Sequence, residues 1–178
     1  MSPSFSPVDP SHAEALIDWL SSDRWPFHGS AEPSPDTVRG WVAGGRFWGE
    51  HVRSHWIERA GERVGLVVLE ELEDPTPVFD LRIQSEARRT GLGRDTLAWL
   101  AEQTFGEHDK HRLEAHVRAD NAAMRGLLHA LGWVQEAYYR QAWPDAAGAW
   151  HDATTYSLLR ADHRAGTRTP LPVHEPVR

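Results

Sequence analysis

The stretch Arg88-Arg89-Thr90-Gly91-Leu92-Gly93 stands between a β-rich run, residues 78–84, and a helical run, residues 92–105. The first amide groups of a helix have no intrahelical acceptor and carry partial positive charge, so an anion can bind there. Two glycines allow a close approach, and the arginines at 88, 89 and 94 add full charges. The stretch therefore predicts a diphosphate cradle, with glycines that serve turn geometry alone as the alternative.

The segments on both sides of this turn predict a mixed α/β chain. Two short helices are expected in the first third, one opened by a capping box between Ser11 and Glu14 and one opened near Ser34. The order along the chain is α-α-β-β-β-α-β-α-β-β, which gives a central mixed, largely antiparallel sheet flanked by helices. The predicted strands are residues 55–59, 63–69, 78–84, 112–118, 133–143 and 150–159.

The place of the glycine turn argues against two common phosphate-binding folds. A Rossmann fold carries its glycine turn after the first strand of a βαβ repeat, whereas here the turn follows the third strand. No Gly-Lys-Ser/Thr triplet is present, so a P-loop is not expected either.

Length and composition favour one domain. The 178 residues are 40% hydrophobic, which is enough for one core, and we assign residues 1–160 to this domain. Residues 161–178 lack periodicity and are expected to form a loose C-terminal extension. The net charge of −7 argues against a nucleic-acid partner, and no apolar run approaches the ~20 residues of a membrane span. Without cysteine or a signal-peptide pattern, a cytoplasmic location is expected.

Two motifs in register resemble those of a known family. Arg88-x-x-Gly91-x-Gly93 opens the central helix, and Asn121-Ala122-Ala123-Met124 opens the next one, which ends in Leu131-Gly132-Trp133. Together with the element order, they resemble the GNAT superfamily of acyl-CoA-dependent N-acyltransferases over roughly residues 7–160. The last strand, with Asp152 shortly before Tyr156, is most similar to the branch of ribosomal-protein N-terminal-amine acetyltransferases and relatives that act on small amines.

The resemblance implies acetyl-CoA (coenzyme A) as co-substrate. The amides of residues 88–94 would hold its pyrophosphate, and the amide of Ile83 would polarise the thioester carbonyl. Asn121 would hydrogen-bond the pantetheine arm, with helix capping as the alternative. The implied coenzyme A surface consists of Leu81, Ile83, Arg88, Arg89, Thr90, Gly91, Leu92, Gly93, Arg94, Asn121 and Met124.

Transfer of an acyl group to an amine requires a base, and three catalytic candidates follow. Asp80 is the first, because Asp80 and Arg82 share one face of a predicted central strand where apolar residues are expected; a structural ion pair is the alternative. His116 is the second, with a structural sheet histidine as the alternative. Many GNAT enzymes carry an acid tyrosine seven residues after the asparagine, where this chain has Leu128, and Tyr138 is the substitute by proximity.

The same resemblance implies that the loop between the first two helices borders the acceptor. We predict acceptor contacts for Trp25, Phe27, His28 and Arg82, with core packing as the alternative for the two aromatic residues. The predicted function is transfer of an acetyl group from acetyl-CoA to a primary amine, of a small molecule or a protein N-terminus, by direct attack in a ternary complex. A non-catalytic acyl-CoA-binding or sensor protein is the alternative. No metal, nucleic acid or membrane is predicted, and a homodimer is possible.

Overall fold

The computed structural model describes residues 2–172. The strands are β1 Ser4–Pro7, β2 Arg53–Arg59, β3 Glu62–Glu70, β4 Val78–Ile83, β5 Arg112–Arg118, β6 Val134–Pro144 and β7 Trp150–Leu159. The helices are α1 Ala13–Ser21, α2 Pro35–Ala43, α3 Leu92–Glu102, α4 Ala122–Ala130 and α5 Arg160–Ala165. One sheet takes the order β1-β2-β3-β4-β5-β7-β6, and only β4 and β5 are parallel among its neighbouring pairs in residues 2–172. The predicted mixed, largely antiparallel sheet flanked by helices is confirmed.

Strand β1 is absent from the predicted order. Its four residues pair with β2, from Ser4 opposite Glu58 to Pro7 opposite His55. A four-residue segment that ends in proline carries little strand signal, because proline cannot donate to a ladder and is confined to sheet edges. Phe5 anchors the strand by stacking on Trp99 of α3, with ring centroids 4.1 Å apart.

The cap of the first helical segment was wrongly predicted. Asp9, rather than Ser11, accepts the hydrogen bond, from the amide of Ser11 at 2.8 Å, and the His12 ring accepts from the amide of Asp9 in return. This reciprocal pair opens a 3-10 turn, Pro10–His12, that leads directly into α1. Aspartate is as good an N-cap as serine, and the proline at the first position of the turn fits either register.

A short helix, α5, occupies the start of the segment that was expected to be a loose extension. Asp162 on α5 is buried, and its carboxylate accepts hydrogen bonds from the hydroxyls of Thr167 (2.9 Å) and Thr169 (2.8 Å). The amide of Thr169 also donates to it at 2.9 Å. These contacts tie residues 167–169 to the helix by polar bonds, which hydrophobic periodicity cannot reveal. The predicted extension also covers residues 173–178, which lie outside the described residues.

The sheet separates two hydrophobic cores, and β4 contributes to both of its faces. Leu81 belongs to the core formed with α3 and α4. On the opposite face, the Arg82 guanidinium lies 5.7 Å from the ring centroids of both Trp25 and Trp41, which belong to or pack on the core under α1 and α2. Alternation along a strand explains why neighbouring residues reach different cores.

Two histidines on the α3 side of the sheet couple folding to pH. His55 on β2 packs edge-on against Trp99, with ring centroids 4.8 Å apart, close to His108. Burial and the nearby His108 lower the pKa of His55, and burial and the Arg53 charge lower the pKa of His108. The folded protein therefore keeps both rings neutral at a pH where the unfolded chain binds protons.

We expect the stability of the fold to fall as the pH drops below about 6.5, the value of an unperturbed histidine. The unfolded chain takes up protons there that the folded chain does not, so acidification favours unfolding. Urea denaturation of the wild type and of the double variant His55→Gln/His108→Gln between pH 8 and pH 5 measures this effect. Between pH 8 and pH 5 the wild type should lose more unfolding free energy than the variant does. Equal losses would show that the two histidines do not cause the pH dependence.

Candidate active site

The parallel strands β4 and β5 diverge after one paired position. Val78 lies opposite Glu114, and no later β4 residue pairs with β5 within residues 2–172. On its other side β4 is paired with β3 along its length, and the amide of Gln84 donates to the carbonyl of Val64 at 3.0 Å. Because amides alternate in direction along a strand, those of Leu81 and Ile83 point away from β3 and into the gap. The gap thus offers two backbone donors.

A cavity of about 430 Å³ lies over this gap. Nine of the eleven predicted coenzyme A residues line it: Leu81, Ile83, Arg88, Arg89, Gly91, Gly93, Arg94, Asn121 and Met124. The side chains of the other two point elsewhere. Leu92 is buried in the core, and the Thr90 hydroxyl donates to the carbonyl of Ala87 while it accepts from Arg59.

The two glycines of the turn serve different purposes. Gly91 precedes α3 with φ = 88°, in the left-handed region, and a Cβ there would meet no atom within 4 Å. A Cβ on Gly93 would lie 3.0 Å from Cδ2 of Leu127 on α4, so the absence of a side chain here allows α3 and α4 to pack closely. The backbone at Gly91 therefore faces open space at a helix N-terminus, which is the geometry of an anion cradle.

The three arginines of the turn also divide their roles. Arg88 donates from Nε to the carbonyl of Ile83 (2.8 Å) and from Nη2 to the carbonyl of Arg24 (2.6 Å), so its guanidinium fastens the turn to β4 and to the α1–α2 loop. Arg89 and Arg94 are exposed, line the cavity and have no ion pair among residues 2–172. Those two charges are available to an anion, whereas the charge of Arg88 is already engaged by protein carbonyls.

Asn121 caps α4. Its Oδ1 accepts from the amide of Met124 at 3.1 Å, as the capping alternative proposes. The side chain also lines the cavity, and its Nδ2 has no protein acceptor among residues 2–172. Capping uses the oxygen and leaves the amide nitrogen free to donate, so the two interpretations of Asn121 are compatible.

The α1–α2 loop is held in place from the opposite wall. Asp23 accepts from the amide of Ser85 (2.6 Å), Arg88 holds the carbonyl of Arg24, and Arg118 on β5 donates to the carbonyl of Pro26 (3.1 Å). Trp25 is buried, donates from Nε1 to the carbonyl of Leu20 (2.7 Å) and is one of the residues that line the cavity. These bonds fix where the next two residues of the loop, Phe27 and His28, lie.

A buried charge cluster surrounds Asp80. Its carboxylate accepts from Nε2 of His28 (2.9 Å), from Nη2 of Arg82 (3.0 Å) and from Nη2 of Arg46 (3.4 Å). Burial opposes the ionisation of Asp80, but Arg82, then His28 and Arg46, outweigh it and hold the pKa of the carboxyl well below its usual range. Asp80 therefore remains a carboxylate and makes a poor proton acceptor, contrary to its predicted role as the base.

A second, smaller cavity of about 90 Å³ adjoins the first. Five residues line both: Phe27, His28, Leu81, Asn121 and Met124. The smaller cavity is further walled by Phe79, Trp143, Arg118 and His116. The His116 side chain is half exposed and contacts the Thr155 hydroxyl at 3.3 Å and the Glu114 carboxylate at 3.5 Å. The shared residues mark the junction where two reactants can meet.

The structure does not bring Tyr138 to this junction. Tyr138 is 56% exposed on the edge strand β6, lines neither cavity and donates to Asp152. That hydrogen bond raises the pKa of Tyr138, which weakens it as an acid. Leu128, at the position of the usual tyrosine, is fully buried in the core. The prediction that Tyr138 stands in for the missing acid finds no support in this arrangement.

Sequence reasoning missed two arginines of the site. Arg46 follows α2 after two glycines, and its contact with Asp80 depends on how that helix packs on the sheet. Arg118 ends β5 and reaches Asp120 as well as the loop. Arg118 shares the polar side of β5 with Arg112, Glu114 and His116, so strand alternation gave no signal for it, and no local signal distinguishes Arg46.

The chain belongs to the GNAT acetyltransferases. The family model described as "Acetyltransferase (GNAT) domain" matches residues 4–134, most of the chain. Members of this class are acyl-CoA-dependent acetyltransferases, and acetyl-CoA is their acyl donor. The superfamily inferred from the two motifs is thereby confirmed.

Solved structures of polyamine acetyltransferases share the fold. Spermidine/spermine N-acetyltransferase SpeG from Vibrio cholerae, in complex with manganese ions, superposes with a TM-score of 0.75 at 18% identity, covering 94% of this chain and 98% of that one. A dodecameric spermidine N-acetyltransferase from Vibrio cholerae gives 0.74 at 18% identity, covering 91% and 96%. A chimera of the Vibrio cholerae enzyme with hSSAT gives 0.77 at 16% identity, covering 92% and 99%. At this level of identity the likeness establishes the fold.

A search of functionally characterised sequences found no match. Among residues 2–172, no helix is long and apolar enough to cross a membrane. In the same residues, no three histidine or acidic side chains lie in a group that could hold a metal ion.

Proposed function

We propose that this protein transfers the acetyl group of acetyl-CoA to a primary amine by direct attack within a ternary complex. The observation that carries the proposal is the gap between β4 and β5, where Leu81 and Ile83, with free backbone amides, line the larger cavity and Leu81 also lines the smaller one. A donor in the larger cavity and an acceptor in the smaller one can meet there without a covalent enzyme intermediate.

The larger cavity suits the acyl donor. The pantetheine arm would lie along the open edge of β4, and the amide of Ile83 would donate to the thioester carbonyl as negative charge develops on its oxygen. The pyrophosphate would lie at the start of α3, near Gly91 and the free guanidinium groups of Arg89 and Arg94. Asn121 would donate from Nδ2 to an amide carbonyl of the arm.

The smaller cavity suits a monoamine better than a polyamine. Spermidine is the acceptor named for the similar structures, and a long polycation needs several free carboxylates. Asp80 is the one acidic residue lining either cavity within residues 2–172, and three cationic or protonatable side chains already surround it. Phe27, Phe79 and Trp143 supply apolar walls instead. We infer an acceptor with one amine on an apolar or aromatic body.

The narrower kinship with ribosomal-protein N-terminal-amine acetyltransferases remains a prediction. Asp152 and Tyr156, the two residues that suggested this kinship, have hydrogen-bond partners within the β6–β7 hairpin. Asp152 accepts from Tyr138 and from the amide of Gln141, and the Tyr156 hydroxyl donates to Gln135 at 3.0 Å. These bonds explain the two residues without a protein substrate. Cytoplasmic action and a homodimer likewise remain proposals.

An amine panel tests the proposed function. Free thiol released from acetyl-CoA is measured with 2-phenylethylamine, tyramine or spermidine, and without amine. We expect amine-dependent release, with kcat/KM for the two monoamines at least ~10-fold above that for spermidine, since ~1.4 kcal/mol of differential binding suffices. A preference for spermidine would contradict the acceptor assignment. Binding of acetyl-CoA without transfer to any amine would favour the sensor alternative.

A further inference from the structure

His28 occupies the junction of the two cavities and has one unused ring nitrogen. Its Nε2 lies 2.9 Å from Oδ1 of Asp80. Its Nδ1 is buried and has no hydrogen-bond partner among residues 2–172. A buried polar atom without a partner costs free energy unless a ligand completes it. The His28 ring lines both cavities, so reactants bound at the junction lie beside the ring that carries this unpaired nitrogen.

The charge cluster determines which nitrogen carries the proton. Asp80 stays ionised between Arg82 and Arg46, so it can only accept a hydrogen bond. The proton of a neutral His28 ring therefore resides on Nε2, and Nδ1 presents a lone pair. A lone pair at that position can accept a proton from an attacking amine.

The loop that carries His28 is preorganised. Ser85, Arg88 and Arg118 hold three successive points of the loop upstream of it, and the amide of His28 donates to the carbonyl of Trp25 at 3.0 Å. An acid–base group has to be held at a fixed distance from the reacting atoms, and these bonds supply that restraint.

We propose that His28 is the acid–base residue of the acetyl transfer and that Asp80 is its positioning residue. This inference rests on the proposed function and deepens it. The amine nitrogen attacks the thioester carbon and forms the N–C bond, while its proton passes to Nδ1 of His28. The C–S bond then breaks, and the imidazolium returns the same proton to the departing thiolate. One residue thus performs both transfers, which accounts for a chain with Leu128 in place of the usual acid tyrosine.

The test compares His28→Gln with the wild type in the transfer of acetyl to 2-phenylethylamine. Glutamine can still donate a hydrogen bond to Asp80 but cannot relay a proton. We expect kcat to fall ~10²–10⁴-fold, the usual contribution of a general acid–base residue. The affinity for coenzyme A, measured by calorimetry, should change less than ~3-fold. His129→Gln, an exposed α4 residue outside both cavities, should keep wild-type kcat.

The pH profile separates a catalytic role from a structural one. Wild-type kcat/KM should fall at acid pH, where a protonated ring cannot accept a proton. This fall, the acid limb of the pH profile, should disappear in His28→Gln. Imidazole added to His28→Ala should restore part of the rate. Asp80→Asn should lower kcat and shift the limb, because an amide no longer fixes the tautomer. The other ionisable groups around His28 and Asp80 are Arg46, Arg82, Arg118, Glu70 and His116, and Arg88, Arg89 and Arg94 line the rest of the larger cavity.

The outcomes separate the two proposals. If the wild type transfers acetyl to an amine and His28→Gln keeps both the wild-type rate and the wild-type fall in activity at acid pH, the role of His28 is overturned and the proposed function stands. The same is true if His116→Gln, rather than His28→Gln, removes the limb. A wild-type chain that transfers acetyl to no amine would overturn both.

Discussion

Replacing Gly91 with valine is expected to lower the affinity for coenzyme A at least ~100-fold. Gly91 has φ = 88°, a conformation that a β-branched residue rarely adopts, so the chain would rotate to a negative φ. That rotation turns the amides at the start of α3 away from the site proposed for the pyrophosphate. The loss of two hydrogen bonds to an anion, at about 1.5–3 kcal/mol each, gives this magnitude. Calorimetric titration with coenzyme A measures it.

Gly148→Val is the matched control for backbone strain. Gly148 has φ = 85° in the β6–β7 connection, where a Cβ would also meet no atom within 4 Å, and it lines neither cavity. Both variants should lose about 1–3 kcal/mol of stability from the strained conformation. Only Gly91→Val should lose coenzyme A binding. Wild-type affinity in Gly91→Val, or an equal loss in both variants, would show that the α3 turn does not hold the pyrophosphate.

Arg82→Met is expected to cost about 3–5 kcal/mol of stability, the second large effect. Arg82 is 4% exposed and donates from Nε (3.3 Å) and Nη2 (3.0 Å) to Asp80. Removing one partner of a buried pair leaves the other charge without compensation, which is the reason for the size of the loss. Urea denaturation with activity measured on the folded fraction tests the prediction.

Two further variants show whether the loss comes from the unpaired charge. Arg46→Met removes the outer, more exposed partner of Asp80 at 3.4 Å and should cost less than about 1 kcal/mol. The double variant Arg82→Met/Asp80→Leu removes both buried charges and should recover most of the stability, although not the activity. A stable Arg82→Met, or a double variant no more stable than the single one, would contradict the buried-charge explanation.

Much of the fold is readable in the sequence where local signals dominate. The bounds of β5, Arg112–Arg118, and of β7, Trp150–Leu159, agree with the predicted strands, and the turn residues between Pro144 and Trp150 mark where β7 begins. The glycine turn and Asn121 were found through motifs at fixed spacing. Strand β1 escaped detection because its strand character comes from the free edge of β2, a tertiary contact.

The candidate site was predicted less completely, for a physical reason. The turn from Arg88 to Arg94 and the open edge of β4 are local features, so most residues that line the larger cavity could be named from the sequence. The pairing of His28 with Asp80 spans 52 positions and depends on how the α1–α2 loop packs over β4. Sequence alone therefore pointed to Asp80 as the base, whereas the contacts of Asp80 with His28, Arg82 and Arg46, on which the role proposed for His28 rests, appear only in the folded chain.

The most direct test of acetyl transfer at the β4–β5 gap follows the acetyl group itself. The wild-type protein is incubated with acetyl-CoA labelled in the acetyl group and with 2-phenylethylamine, and the products are resolved by mass spectrometry beside Gly91→Val. We expect label in the acetylated amine in amounts equal to the free coenzyme A formed, and little label with the variant. Label recovered only as free acetate, or acetyl-CoA left unconsumed by the wild type, would contradict an acetyltransferase that acts on amines.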